Sequence, residues 1–333
     1  MLLYLGQVPT LVISSAEMPR EMVKNHDIVF SNRPRSTAPS ILLFGCEDVG
    51  FSPYGEYWRQ ARKISVVELL SIKRVQEFQF VRDEETAAMV NRIRSVCVNG
   101  STINIGETMI AIANNIVSRC VLGKSFMEED GRSRIGELSR QMMLLFGAFS
   151  VGDFFPSYEE SPRRGKKSGG EKSKIDMEDI NQMSYFKCVI KENLRLHPPV
   201  DLLVPRETST SVEMGGYHIP AKAQVFVNAW TIQRDPSLWC RPEEFMPERF
   251  ENSSVDFKGQ DFEYIPFGVG RRGCPGMAFG VASTEYVIAN LLYWFDWKLP
   301  GGALGEDLDM SEAHGLTVSK KLPFHLLPTP YSP

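Results

Sequence analysis

The stretch Phe267-Gly268-Val269-Gly270-Arg271-Arg272-Gly273-Cys274-Pro275-Gly276 decides how the rest of the chain is read. It sets a cysteine at the end of a glycine-rich loop, directly before Met277–Trp294, a run that is apolar or small on nearly every face. Such a run predicts a helix buried throughout. A thiol at a helix N-terminus has its anionic form favoured by the helix dipole and by backbone N–H groups that lack a partner inside the helix. Glycines around it let backbone approach a large flat group and donate hydrogen bonds to the sulfur, which tunes a metal behind it. Arg272 carries the charge to meet an anionic edge of the same ligand. Cys274 is therefore the candidate metal ligand, with Phe267, Gly268, Arg272 and Gly276 as cofactor-binding positions of the loop.

Upstream, Ser184–His197 repeats apolar residues at Phe186, Val189, Ile190 and Leu194 and stops at Pro198-Pro199, as a helix must. It carries Glu192 and Arg195, an i,i+3 pair on one face. Pro247-Glu248-Arg249-Phe250 adds a further cation, Arg249. Trp58 and Arg62 lie one turn apart on a segment predicted to be mostly helical from Tyr57 to about Arg94. Arg206 sits in LLVPRET, inside a stretch, Val200–Trp230, whose alternation and Gly215-Gly216 and Pro220 punctuation predict short strands and hairpins. Nearer the start, the pattern predicts strands over Leu2–Leu5 and Thr10–Ser14, a helix over Glu17–Asn25 and an irregular Arg33–Gly55. Helices follow over Ile110–Leu122 and Ile135–Phe149, and another is capped by Asp176.

Composition narrows the function classes. With 333 residues, 43% apolar and 23% charged, the chain is globular. A formal charge of −4 without a basic block excludes a dedicated nucleic-acid binder. The six cysteines, at 46, 97, 120, 188, 240 and 274, form no C-x-x-C pair, which excludes a zinc ribbon and predicts reduced thiols. Met1–Ser15 is interrupted by Gly6, Gln7 and Pro9 and is too short to span a bilayer, and no uncharged run of 18 apolar residues follows.

The spacing F-x-x-G-x-R-x-C-x-G, met at all five fixed positions, resembles the haem-binding signature of the cytochrome P-450 family. The other elements stand in the order that family requires. Phrases such as GFSPYGEYWRQARK, NQMSYFKCVIKENLRLHPP and GGYHIPAKAQVFVNAW resemble its plant microsomal branch, the seventy-one clan. The resemblance implies a mainly α fold with small β-sheets (α+β) and haem b held by the Cys274 thiolate. Trp58, Arg62 and Arg206 would face the haem propionates, and Glu192, Arg195 and Arg249 would form a buried structural network. The implied reaction inserts one oxygen atom from O₂ into a small lipophilic secondary metabolite, with electrons from NADPH through a partner reductase. The implied setting is the cytosolic face of the endoplasmic reticulum membrane. Family members there begin with an anchor helix, whereas this chain starts at the first strand and is compatible with a soluble protein.

The sequence also departs from the pattern. In the family, GAFSVGDFFPS leads into a helical region with an [AG]-G-x-[DE]-T-T motif on the distal side of the haem, and GEKSKIDMEDI follows it. Here a short charge-rich linker, 157–174, joins an N-terminal part, 1–156, to a haem-binding part, 175–333, of what the resemblance makes one incomplete domain. No acid–alcohol pair replaces the missing motif: Gly106-Glu107-Thr108 and Glu207-Thr208-Ser209-Thr210 are read as loop or strand ends, outside any long apolar helix. No catalytic side chain beyond the iron ligand is therefore assigned. Loss of that region is expected to leave apolar surface uncovered and an open haem site prone to weak binding and peroxide leakage. Two alternatives stay open. One is an inactive truncated, splice-variant or mis-predicted product. The other is a non-catalytic haem- or reductase-binding module using Arg59, Arg62, Lys63, Lys73 and Arg74 as a basic face.

Overall fold

The computed structural model describes residues 1–128, 133–147, 177–305 and 308–331. Strands Leu2–Leu5 and Val8–Ile13 form the expected hairpin, and Val8–Ile13 then pairs in parallel with Gln224–Val227, Thr10 opposite Gln224 and Ile13 opposite Val227. Arg206–Glu207 closes the sheet antiparallel to Gln224–Val227, with Arg206 opposite Val225. Side chains two apart share a face of a strand. Leu11, Ile13, Val225 and Val227 accordingly bury together, against Met22, Phe30, Ile265 and Val269. The glycine loop is thus rooted in the core of a sheet that joins the N-terminal hairpin to strands of residues 206–227.

A second core is helical. Gln79–Val98, Ile105–Leu122 and Met277–Trp294 bury Met89, Val90, Ile93, Ile112, Ile116, Val287 and Leu291 among themselves. Among the described residues three smaller sheets complete the fold: Val212–Met214 with Tyr217–Ile219, Phe295–Lys298 with His325–Pro330 and Ile103–Asn104, and Glu312–His314 with Val318–Lys320. The architecture is mainly α with small sheets, as predicted. Among the described residues no helix is long and apolar enough to cross a membrane.

Several boundaries fall where expected: helices run over Glu17–Asn25, Ser184–Leu196 and Met277–Trp294. Four expectations need correction. The helix predicted from Ile110 starts at Ile105, because the Asn104 side chain accepts the Glu107 N–H at 3.3 Å and caps it. That cap outweighs the low propensity of Gly106 and Thr108. Gly106-Glu107-Thr108 consequently lies in the first turn of a long, largely apolar helix rather than in a loop, with Glu107 exposed. Glu207–Thr210 is a strand end, as read. Within Arg33–Gly55 a short helix, Thr37–Leu42, forms with Pro39 in its first turn, where a missing N–H is harmless.

The fourth correction concerns Met277–Trp294. Only its second half is buried, at Tyr286, Val287, Ala289, Asn290 and Leu291, while Leu292 and Tyr293 are exposed. A helix apolar all round carries no periodic cue to which face is covered, and packing against Gln79–Val98 and Ile72–Glu77 chooses it. The segment after Tyr57 is helical in pieces, Glu56–Ile64, a wide turn Ser65–Leu69, and Ile72–Glu77. Ile64, Val67, Leu69 and Ile72 stand exposed along it. The 157–174 linker and the Asp176 cap lie outside the described residues.

Candidate haem site

The loop's backbone is set by its glycines. Gly268 and Gly270 adopt φ of +71° and +62°, and a Cβ on Gly270 would come within 2.6 Å of Asp27 Oδ1. Only glycine fits there without strain. The turn returns the chain so that the Cys274 N–H donates to the Phe267 carbonyl at 2.8 Å, with the Phe267 ring edge-on to Phe257 at 5.4 Å. Cys274 then stands three residues before the Met277–Trp294 helix. It is exposed to solvent yet has protein atoms packed around it. That surrounding raises the thiol pKa, and the Gly276 N–H and the Arg62 charge pull it back down.

Beside the loop the fold gathers four guanidinium groups, of which Arg62 acts on the thiol itself. Arg62, on the Glu56–Ile64 helix, donates to the Gly273 carbonyl at 2.6 Å. Arg272 donates to Ser31 and Ser52 carbonyls at 2.7 and 2.6 Å, and its Nη1 is buried with no partner among the described residues. Arg206, at the sheet edge, donates to the Val269 carbonyl at 2.5 Å and to Phe30 at 3.4 Å. The fourth is Arg33, whose Nε reaches the Gly50 carbonyl at 2.8 Å and whose Nη1 reaches Val204 and Pro205 at 2.7 Å each. Arg33, which sequence reasoning missed, lies in a Pro-flanked irregular segment where neither periodicity nor motif singles it out.

Electrostatically this cradle is under-paired. Burial, then the like charges of Arg206 and Arg62, push Arg272 down to about 9, and burial pushes Arg206 down to about 10. Arg33 falls well below its ordinary value, first through burial and then through Arg272 and Arg206. The carboxylates that offset them are Asp27, 3.8 Å from Arg206, and Asp48, whose Oδ1 is already held by the Gly50 and Phe51 N–H groups. Four cations against two carboxylates leave an excess that suits a ligand with two negative charges. The donor set, an accessible thiol beside an excess of guanidinium charge with one orphaned N–H, therefore fits a haem with its two propionates. Trp58 is buried in the same place, but its indole N–H donates to the Val49 carbonyl at 3.0 Å. Its ring instead stacks under Arg272 at 4.2 Å and near Arg62 at 5.9 Å.

Behind the loop lies a cluster of the opposite kind. Glu192 and Arg195 pair bidentately at 2.8 and 2.9 Å, both fully buried. Arg249 Nε joins Glu192 Oε1 at 3.0 Å, and the Met246 N–H donates to the same oxygen at 2.8 Å. The spare N–H groups of both arginines go to carbonyls of Gln233, Cys240, Arg241, Pro242 and Glu244. Gln233, also missed from sequence, links this cluster to the loop: its amide donates to Leu194 and Arg195 carbonyls and its oxygen accepts the Ile265 N–H at 2.8 Å. The basic face Arg59, Arg62, Lys63, Lys73 and Arg74 is broken up. Lys73 and Arg74 pair with Glu77 at 3.7 and 2.7 Å, Arg59 lies over Tyr54, and Arg62 turns to Gly273.

Comparison with known proteins agrees with this geometry. The cytochrome P450 family model matches residues 1–168 and 165–327. A phenylacetaldehyde oxime monooxygenase of Prunus mume is 44% identical over 437 residues, covering all of this chain and 83% of that protein. A cytochrome P450 of Persea americana is 39% identical, covering 98% of this chain and 86% of its own length. A strychnine-11-hydroxylase of Strychnos nux-vomica is 36% identical over 99% of this chain and 84% of that enzyme. A zebra fish cytochrome P450 solved with abiraterone superposes with a TM-score of 0.74 at 18% identity, covering 99% of this chain and 95% of that one. The chain belongs to the cytochrome P450 family, in its plant 71 clan, and its chemistry is haem-thiolate monooxygenation with O₂, a small substrate and a redox partner.

Proposed function

We propose that Cys274 would supply the thiolate that holds a haem iron, and that Arg33, Arg62, Arg206 and Arg272, stiffened by Trp58, would hold the two haem carboxylates. The observation that carries this is the under-paired cationic cradle beside an accessible thiol: Asp27 and Asp48 offset these charges in part, and an anionic guest would offset the rest. When bound, the haem would supply the iron chemistry that activates dioxygen for monooxygenation. The protein's part is positioning. Gly268 and Gly270 keep the backbone low, the Gly276 N–H tempers the sulfur, and Glu192, Arg195 and Arg249 fix the loop from behind.

Electrons arrive in this reading from NADPH through a reductase, at the cytosolic face of the endoplasmic reticulum membrane. The 1–156 and 175–333 parts belong to one domain that has lost a middle section. Two observations support that loss: the Prunus mume relative matches over 437 residues where this chain has 333, and Ile64, Val67, Leu69 and Ile72 are uncovered. The test is NADPH-driven oxygen uptake by the haemin-loaded chain with a plant reductase in phospholipid vesicles, with phenylacetaldehyde oxime as first substrate. Reductase-dependent uptake ending in oxygenated product, with a share lost as peroxide, is expected. Uptake no greater than that of the reductase alone contradicts the reading.

A further inference from the structure

The glycine loop, Phe267–Gly276, carries two arginines and no acid of its own. A carboxylate reaches it from near the start of the chain. Asp27 lies just past the Glu17–Asn25 helix, whose Met22 and Val23 share a core with Val269 of the loop. Its backbone is fixed there: the Ser31 hydroxyl donates to the Asp27 carbonyl at 2.5 Å, and the Phe30 N–H donates to the His26 carbonyl at 3.3 Å. The largely buried carboxylate therefore meets the loop at a set point. It accepts the Arg271 N–H at 3.4 Å on Oδ1 and 3.2 Å on Oδ2, and Oδ2 lies 3.2 Å from Arg271 Nε. Oδ1 is also 2.6 Å from where a Cβ on Gly270 would be, and 3.8 Å from Arg206 Nη1. One side chain thus touches the corner of the loop and faces one of the four cradle cations. From that corner the Gly270 carbonyl accepts the Gly273 N–H at 3.0 Å, one residue before Cys274, while Arg206 holds the Val269 carbonyl on the other side. A backbone N–H bonded to a carboxylate is a charge-assisted contact and one of the stronger kinds. The ion pair to the half-exposed Arg271 guanidinium adds little beside it.

We propose that Asp27 is a positioning residue of the haem site: its carboxylate holds the Gly270–Arg271 corner that leads to Cys274, and its charge sets the cationic excess of the cradle. With Asp27 and Asp48 in place, four guanidinium groups leave an excess of two, which matches two propionates. Without Asp27 that excess becomes three, and Arg206 loses the charge that offsets its burial. An added net positive charge beside a redox group favours the form with one electron more, so the potential moves positive. The charge role rests on the haem reading; the hold on the loop rests on the contacts of Asp27 alone.

The full chain tests it as wild type, Asp27→Asn and Asp27→Ala, each with and without haemin. Without haemin, amide hydrogen exchange at Arg271 reads the corner. Asp27→Ala should speed that exchange roughly tenfold, the size of a lost hydrogen bond to a carboxylate. Asp27→Asn should stay within about threefold of the wild type, since the amide oxygen still accepts. Amides of the Gln79–Val98 helix serve as the reference for the fold as a whole. With haemin, the midpoint potential should move positive in Asp27→Asn as well as in Asp27→Ala. A merely structural role would not move it in the Asn variant, whose corner stays held. Exchange at Arg271 indifferent to Asp27→Ala, acceleration shared equally by Gln79–Val98, or an Asp27→Asn potential equal to that of the wild type overturns the proposal. A chain that takes up no haemin overturns the haem reading and the charge role with it, while exchange at Arg271 decides separately on the hold of Asp27 over the loop.

Discussion

Two clusters of buried arginine flank the Cys274 loop, and they are built on opposite principles. Arg195 and Arg249 share one carboxylate, Glu192, and spend their other N–H groups on backbone carbonyls, so that cluster is closed. Arg33, Arg62, Arg206 and Arg272 repel one another, have two carboxylates nearby, and leave the Arg272 Nη1 without a partner among the described residues. The same residue type is structural where its hydrogen bonds are complete and ligand-seeking where they are not. Burial of charge alone therefore does not distinguish the two clusters; the balance of charge and hydrogen-bond pairing does.

Breaking the closed cluster should have the largest effect. Glu192→Ala leaves two buried guanidinium groups without their carboxylate and should lower unfolding free energy by about 3–5 kcal/mol, read by urea denaturation. Gln233→Ala removes the tie between that cluster and Ile265, and should cost about 1–3 kcal/mol in the same measurement by orphaning a buried N–H and two carbonyls. The open cluster should respond the other way. Arg272→Gln relieves repulsion as it loses two backbone hydrogen bonds, so stability of the haem-free chain should change by less than about 1 kcal/mol, while haem affinity falls roughly tenfold. If Arg272→Gln instead unfolds the haem-free chain as Glu192→Ala does, the distinction between the clusters is lost. As a baseline, Lys73→Ala removes only a solvated pair with Glu77 and should leave the urea midpoint unchanged.

The residues of the closed cluster were legible in the sequence because each sits at fixed spacing on a helix or a short motif: Glu192 and Arg195 one turn apart, Arg249 in PERF. Half of the open cluster was equally legible, at Arg62 and Arg272, and Arg206 through its surrounding phrase. Arg33 was not, since it acts through carbonyls of two distant segments, at Gly50 and at Val204-Pro205, that only tertiary folding brings to it. Gln233 escapes for the same reason. Helix ends followed local chemistry where Pro or Gly marks them and slipped at Ile105, where an Asn cap replaces the hydrophobic cue. Which side of Met277–Trp294 is buried has no local signal, because the helix is apolar on every face.

The most direct test of the central claim is the absorption spectrum of the haemin-loaded, reduced chain under carbon monoxide, taken for the wild type and for Cys274→Ser. The account predicts a thiolate-type Soret band in the wild type and its replacement in Cys274→Ser by the band of a haem without a sulfur ligand. Identical spectra from the two proteins, or no thiolate band in either, would contradict it.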